Sequence, residues 1–445
     1  MEDLVLVLPV VQYQAGSSFG RICYPEISPL VMASIFPFQP YRYTARAGEL
    51  QWLATQPYDK ITPQMQQRYL AASPYNLVRV VLGERLPQDN PADNVYTRAA
   101  AYLDEWIAEG ILEQEAAPSI YPYFQEFVSP DSGQTMVRKG FIALGAVEDY
   151  SAGVVHRHEQ TLSGPKQDRL ELLRHTRAQC EQIFMLYPDP EGAVDRLIEQ
   201  AASGAPLREV TDEYGAVHRL WRINDPKVIE EVQRLMAPRK LIIADGHHRY
   251  ETAVAFRNEN PTLAAAARAP MAFFNMHSPG LRILGTHRLV NGLEGFAPAS
   301  FLASLQKLFQ LTRLASLEAL RSAWAEPHPG LVRIGVALSS PQSLYLAQRP
   351  REEGSLDVSI LHSAVIEGKL GISPEAVRSE TYIRYARGIE AAWGEVASGA
   401  AQLAFLLEPV PVGEVARIAF SGGVMPQKST DFYPKLLSGL AIYRM

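Results

Sequence analysis

Three short stretches of this sequence concentrate residue types that could do chemistry. The first is Leu241-Ile-Ile-Ala-Asp-Gly-His-His-Arg-Tyr-Glu-Thr-Ala253. Its apolar, β-branched run predicts a buried strand, Asp245-Gly246 predicts a sharp turn, and the composition from His248 onward predicts a helix start. A helix begins with unpaired backbone N–H groups and the positive end of its dipole, so such a turn binds anions. Here Gly246, His247, His248 and Arg249 would form the anion cradle, while Asp245 could cap the helix or hold a metal. Two histidines, an arginine and an acid in one turn after a buried strand would be costly for a purely structural turn. Neighbouring helical positions do not share a face, so one histidine is expected to meet the ligand and the other to pack.

The second stretch is His156-Arg-His-Glu159. If extended, it puts His156 and His158 on one face and Glu159 on the other. The histidine pair would suit a metal; Glu159 would suit acid–base work, its pKa set by burial against Arg157 and the histidines. A solvated strand end explains the same residues equally well. The third stretch, Gly422-Gly-Val-Met-Pro-Gln-Lys-Ser-Thr-Asp-Phe-Tyr-Pro-Lys435, nearly spells a phosphate loop, but Gln427 stands where the second glycine belongs. Apolar residues at helical spacing precede it where that motif needs a strand, so a Walker-type site is rejected. Lys428, Ser429, Thr430 and Lys435 remain as phosphate or carboxylate contacts on a proline-bounded loop. GxGxxG, GxSxG and HExxH motifs are absent, which removes the usual support for Rossmann, hydrolase and zincin readings.

The elements that must position these residues read as mixed α/β. Residues 94–109 have a helical pattern; 121–128 and 136–146 flank the turn Asp131-Ser-Gly133 as a hairpin. Residues 154–162 predict a strand that ends in charge. Helices are predicted over 167–184, 189–202 and 227–236, and a strand over 215–223. Beyond the central turn, 271–276, 331–338, 382–385 and 401–407 predict strands, and 298–309, 316–324 and 389–397 predict helices. No internal repeat or long linker divides the chain, so an intertwined body is expected rather than separate beads. The segments expected are an upstream extension (1–31), an N-terminal α/β segment (32–150), a core holding the Asp245 turn (151–270) and a C-terminal α/β segment (271–445).

With 445 residues, 47% hydrophobic and 20% charged, the chain is an ordinary globular one. Its net charge of −6 argues against a constitutive nucleic-acid binder, which needs a basic surface. Cys23 and Cys180 lie far apart and form no CxxC, which predicts reduced thiols, no structural zinc and a cytoplasmic setting. No apolar run reaches membrane-spanning length, so no membrane association is expected.

Five ordered motifs together resemble a family catalogued as domain of unknown function 1015. They are Gln56-Pro-Tyr-Asp59, Ser73-Pro-Tyr-Asn76, His158-Glu159-x-Thr161 with Lys166-x-Asp-Arg169, Ile243 to Ala253, and Met425-Pro-x-Lys-Ser-Thr-x-Phe-Tyr-Pro-Lys435. That family in turn resembles the free-serine kinases of the ParB and sulfiredoxin-like superfamily. The resemblance implies a ParB/sulfiredoxin-like core elaborated by N-terminal and C-terminal segments, and phosphorylation of L-serine or a similar hydroxylated metabolite with ADP or ATP and Mg²⁺. It implies Glu159 as base, with Asp245 and His247 at the reacting phosphate and Asp245 on the metal. Gly246, His247, His248 and Arg249 would hold the nucleotide phosphates, and His158, Lys428, Ser429, Thr430 and Lys435 the amino acid. Such roles suit phosphoryl transfer, which needs positioning and charge stabilisation more than covalent chemistry. The assignment requires Glu159, the Asp245 turn and Lys428 to line one pocket. Two readings compete: a ParB-like nucleotide-binding switch, and a metal-dependent hydrolase using His156 and His158.

Overall fold

The computed structural model describes residues 32–159, 163–328, 330–352 and 354–445. Residues 1–31, with Cys23, and residues 160–162 lie outside that description.

Five consecutive side chains, Ile183-Phe-Met-Leu-Tyr187, are buried to 0% exposure and define the centre of the molecule. Side chains of a strand alternate between faces, so a run apolar at every position fits a strand covered on both sides. Ile183, Met185 and Tyr187 join Leu241, Ile243, Met271 and Phe273 on one face, under the helices Ala193–Ala201, Pro226–Met236 and His247–Glu259. Phe184 and Leu186 join Ile242, Ala272 and Phe274 on the other.

Nine strands make this large mixed sheet. Leu241–Asp245 lies between Val155–His156 and Ile183–Tyr187, and the sheet continues through Arg268–Asn275 and Thr135–Ala146 to the outer strands. Leu241–Asp245 runs parallel to Val155–His156 but antiparallel to Ile183–Tyr187. The expected hairpin is present, with Tyr121–Val128 paired antiparallel to Thr135–Ala146.

A second sheet of six strands is antiparallel throughout and is built from residues 286–407. Its inner side chains, including Ile334, Val336, Phe405 and Leu407, belong to the same buried cluster as Phe184 and Phe274, so one apolar core joins the sheets. Leu317–Ala325 and Ile389–Ala397 cover its other face. After the second sheet, the chain returns to the large one. Gln182 donates to the Ala441 carbonyl at 2.9 Å, and Tyr443–Arg444 pairs with Ala178–Gln179. No helix among the described residues is long and apolar enough to cross a membrane.

Three expectations need correction. The helix expected over 167–184 is Ser163–Thr176. Arg177, at φ 49°, takes the left-handed conformation that ends a helix, and the apolar run beyond is the central strand. The helix expected from Asp189 starts at Ala193 with Gly192 at the cap position, and Asp189, ahead of the helix, accepts the first-turn Val194 N–H at 2.9 Å. Of the strand expected over 154–162, the described residues 154–159 are regular only at Val155–His156, and residues 160–162 lie outside the described residues.

Candidate active site

The large sheet, the helix after it and the returning C-terminal loop meet where Leu241–Asp245 ends. The pairing register shifts between Ile243 and Asp245, and such an irregularity re-aims the last side chain of a strand. Gly246 turns the chain at φ 92°, and a Cβ there would lie 3.0 Å from the Arg249 guanidinium. The helix His247–Glu259 begins at once, one residue earlier than expected, with its backbone N–H groups directed at the turn.

Asp245 does not cap this helix. Gly246 occupies the cap position, and the Asp245 carboxylate lies between two cations, Arg249 Nη2 at 2.8 Å and Lys435 Nζ at 3.2 Å. Burial works against its charge, yet Lys435 and Arg249 hold its pKa far below the usual carboxylate range. Lys435 also lies 3.1 Å from Asp431, which Arg387 of the second sheet grips at Nη2 from 2.9 Å. Burial opposes the Lys435 charge too, and the two carboxylates outweigh it and raise its pKa. Asp431 is held down to about 2 by Lys435 and Arg387 against the effect of its burial.

Glu159 joins the C-terminal loop through the backbone. It forms a parallel bridge with Met425, whose N–H donates to the His158 carbonyl at 2.8 Å. Lys428, at φ 55°, adopts a left-handed backbone that costs a lysine about 1–2 kcal/mol. Its N–H thereby reaches Glu159 Oε1 at 3.0 Å, and its carbonyl accepts from the buried Arg288 at 3.0 Å. Burial raises the Glu159 pKa, and the Lys428 N–H and ammonium only partly oppose this.

Behind the loop, His158 is fully buried. Its Nδ1 faces the Ile243 carbonyl at 2.7 Å, so that nitrogen carries the proton. Burial lowers its pKa to about 4, so at neutral pH Nε2 accepts the Thr430 hydroxyl proton across 2.8 Å. Thr430 is left with lone pairs for a ligand N–H or O–H. His247 packs edge-on to His158 at 4.8 Å, and its buried Nε2 has no hydrogen-bond partner among the described residues.

An inner chamber of about 90 Å³ collects Glu159, Asp245, Gly246, His247, His248, Arg249, Lys428, Thr430 and Lys435. Tyr58, Asp59 and Lys60 complete its wall. Through Lys60, Lys428, Thr430 and Lys435 it adjoins an outer cleft of about 480 Å³, where Tyr385 and Arg387 line the second-sheet side. A larger cavity of about 640 Å³ on the other side of the loop contains neither Glu159 nor Asp245.

Two expected residues lie elsewhere. Ser429 lines that larger cavity and donates to the Pro426 carbonyl, so it shapes the turn from behind. His158 stands behind Thr430 rather than in the wall. His156 and His158 do not form a ligand pair: His156 contacts the Gly153 and Ala419 carbonyls and packs on Phe420. Lys60, Asp431 and Arg387 were not anticipated. The only signal for Lys60 was its position beside the Gln56-Pro-Tyr-Asp motif; Glu181 fixes that loop by accepting the Tyr58 N–H at 2.9 Å.

The donor set also fails to fit a protein-held Mg²⁺. Among the described residues no group of three or more His, Cys, Asp or Glu side chains could hold a metal ion. Both Asp245 oxygens face cations, Asp431 lies between Arg387 and Lys435, and Glu159 receives an N–H.

The sequence model of the family described as protein of unknown function (DUF1015) matches residues 35–359. The chain belongs to that family. No curated protein matches this DUF1015 chain. Among solved structures it is similar to a free serine kinase in complex with AMP, at 15% identity and TM-score 0.34, over 65% of this chain and 88% of that one. A conserved hypothetical protein from Pyrococcus furiosus is similar at 12% identity and TM-score 0.33, over 64% of this chain and 92% of that one. SbnI with C-terminal truncation from Staphylococcus aureus is similar at 11% identity and TM-score 0.34, over 67% and 86% of the respective chains.

Proposed function

We propose that this DUF1015 protein is a small-molecule kinase that transfers a phosphoryl group from ADP or ATP to a hydroxyl, most simply that of free L-serine. The observation carrying this reading is the inner chamber itself, where a base, a cationic helix start and lysines face one another. The phosphates lie at Gly246 to Arg249, where backbone N–H groups and the helix dipole favour negative charge. Glu159, a carboxylate with a raised pKa, takes the acceptor's hydroxyl proton. The freed oxygen attacks the terminal phosphorus, the bond from that phosphorus to the bridging oxygen breaks, and AMP or ADP leaves. Lys435, Lys428 and Lys60 stabilise the charge spread over the transferring group. Thr430 accepts from the substrate's N–H or O–H, and the rest of the ligand extends into the outer cleft. In this reading residues 151–270 are the centre of a ParB/sulfiredoxin-like core, the flanking segments complete its walls, and the enzyme works in the cytoplasm on free metabolites.

The test is the purified chain incubated with L-serine and related hydroxylated acceptors, with ADP or ATP and Mg²⁺, followed by phosphorus NMR. Phosphoserine should form, and Glu159→Gln should lower kcat by about 10²–10⁴ while nucleotide binding persists. No phosphorylated product with either donor, together with nucleotide binding indifferent to Glu159→Gln, would replace the kinase with a nucleotide-binding switch.

A further inference from the structure

We infer that Asp245 is a positioning residue for Lys435 rather than a metal ligand, and that the Lys435 ammonium is the protein's fixed countercharge for the bound phosphates. This rests on the reading of the inner chamber as a phosphate site. A carboxylate that ligates a divalent ion must turn an oxygen to it. Here both Asp245 oxygens face cations, at 2.8 Å and 3.2 Å, and a dication placed beside them would meet Arg249 and Lys435 as like charges. Mg²⁺ demands near-octahedral oxygen geometry and is commonly held by substrate phosphates with one or two carboxylates. Asp431 is held between Arg387 and Lys435, and Glu159, with one oxygen on the Lys428 N–H, offers at most a single further oxygen, too few for a protein-held ion. Any Mg²⁺ therefore arrives on the nucleotide.

Lys435 is built for the role that Asp245 lacks. Its side chain is 6% exposed and is held between Asp245 and Asp431. An ammonium has three N–H donors, so one remains for a ligand oxygen in the chamber that Lys435 lines. The backbone beneath is equally fixed. Gln125 donates to the Lys435 carbonyl at 2.8 Å, and the fully buried Arg138 donates to the carbonyls of Tyr433 and Pro434. A cation fixed before the ligand arrives needs no reorganisation as charge develops.

The experiment uses the full chain stripped of metal. Calorimetry in EDTA should show inorganic pyrophosphate binding to the wild type, about tenfold weaker binding to Lys435→Met, and recovery in Lys435→Arg. Because Lys435→Met leaves two buried acids facing each other, the charge-balanced pair Asp245→Asn with Lys435→Met is measured beside it and should show the same loss. Electron paramagnetic resonance of Mn²⁺ mixed with the protein alone should show only the free ion, for wild type and Asp245→Asn alike. Stoichiometric Mn²⁺ binding that Asp245→Asn abolishes, or pyrophosphate binding that requires Mg²⁺, would overturn the inference. Binding in EDTA without phosphoserine formation in the kinase assay would instead remove the kinase and leave the cation assignment standing.

Discussion

Several histidines of this protein are buried and held neutral, and that sets its response to acid. Burial lowers His158 and His287 to about 4 and His362 to about 3. Unfolded, each returns to about 6.5, so between these values the unfolded chain binds more protons than the folded one. A depressed pKa contributes stability that is present above the unfolded value and lost as pH falls through the folded one. Urea denaturation should therefore show unfolding free energy declining from pH 6.5 towards 4. His158→Asn should flatten part of that decline; an unchanged slope would mean that His158 is not held neutral. The chemistry-bearing residues of the Asp245 turn were legible because their types are unusual after a buried strand. Asp431 and Arg387 were not, because a lone acid or arginine carries no signal until tertiary structure pairs it. Ser429 misled for the opposite reason: its type suited a ligand, but the strained backbone at Lys428 turns it behind the loop.

At the scale of elements, the strand, turn and helix around Gly246 form the most demanding piece of local geometry. Gly246→Ala would force a Cβ into the left-handed region and to within 3.0 Å of the Arg249 guanidinium. The expected result is a loss of about 1–2 kcal/mol in stability, with a larger proportional loss of pyrophosphate affinity as Arg249 and the helix start shift. Thermal melts and calorimetry on the same samples check this; equal affinity at reduced stability would separate the turn from the ligand site. Strands and helices with clear periodicity, such as the hairpin over 121–146 and the helix Ile389–Ala397, could be read from sequence. The central strand could not, since an apolar run buried on both faces has no period to distinguish it from a continuing helix. What ends the helix, Arg177 in a left-handed conformation, is not a residue type that announces a stop.

Across the whole molecule, the second sheet serves the site through Arg288. That residue is 1% exposed and donates to the Lys428 carbonyl at 3.0 Å, although it does not line the inner chamber. Burial lowers its pKa to about 10, which leaves it cationic at neutral pH. Arg288→Met should remove a costly buried charge yet leave the Thr286 and Lys428 carbonyls without their donor. The expected balance is a loss of about 1–3 kcal/mol in urea denaturation. Pyrophosphate binding should weaken as well; undiminished binding would show that the loop keeps its shape unaided. Sequence could indicate that the late loop belongs with the central turn, but not that a separate sheet would buttress it, because that contact runs through backbone carbonyls, which every residue has.

The bridge between Glu159 and Met425 also has a consequence for how the protein is made. A growing chain can complete the Asp245 strand and its helix early, but the wall containing Lys428 and Lys435 emerges only after the six-stranded sheet has been synthesised. Until then, the Asp245 turn lacks Lys428 and Lys435 in its chamber wall, and Glu159 lacks the Lys428 N–H that holds it. The chamber wall is therefore completed only late in synthesis, when the returning loop pairs with Glu159.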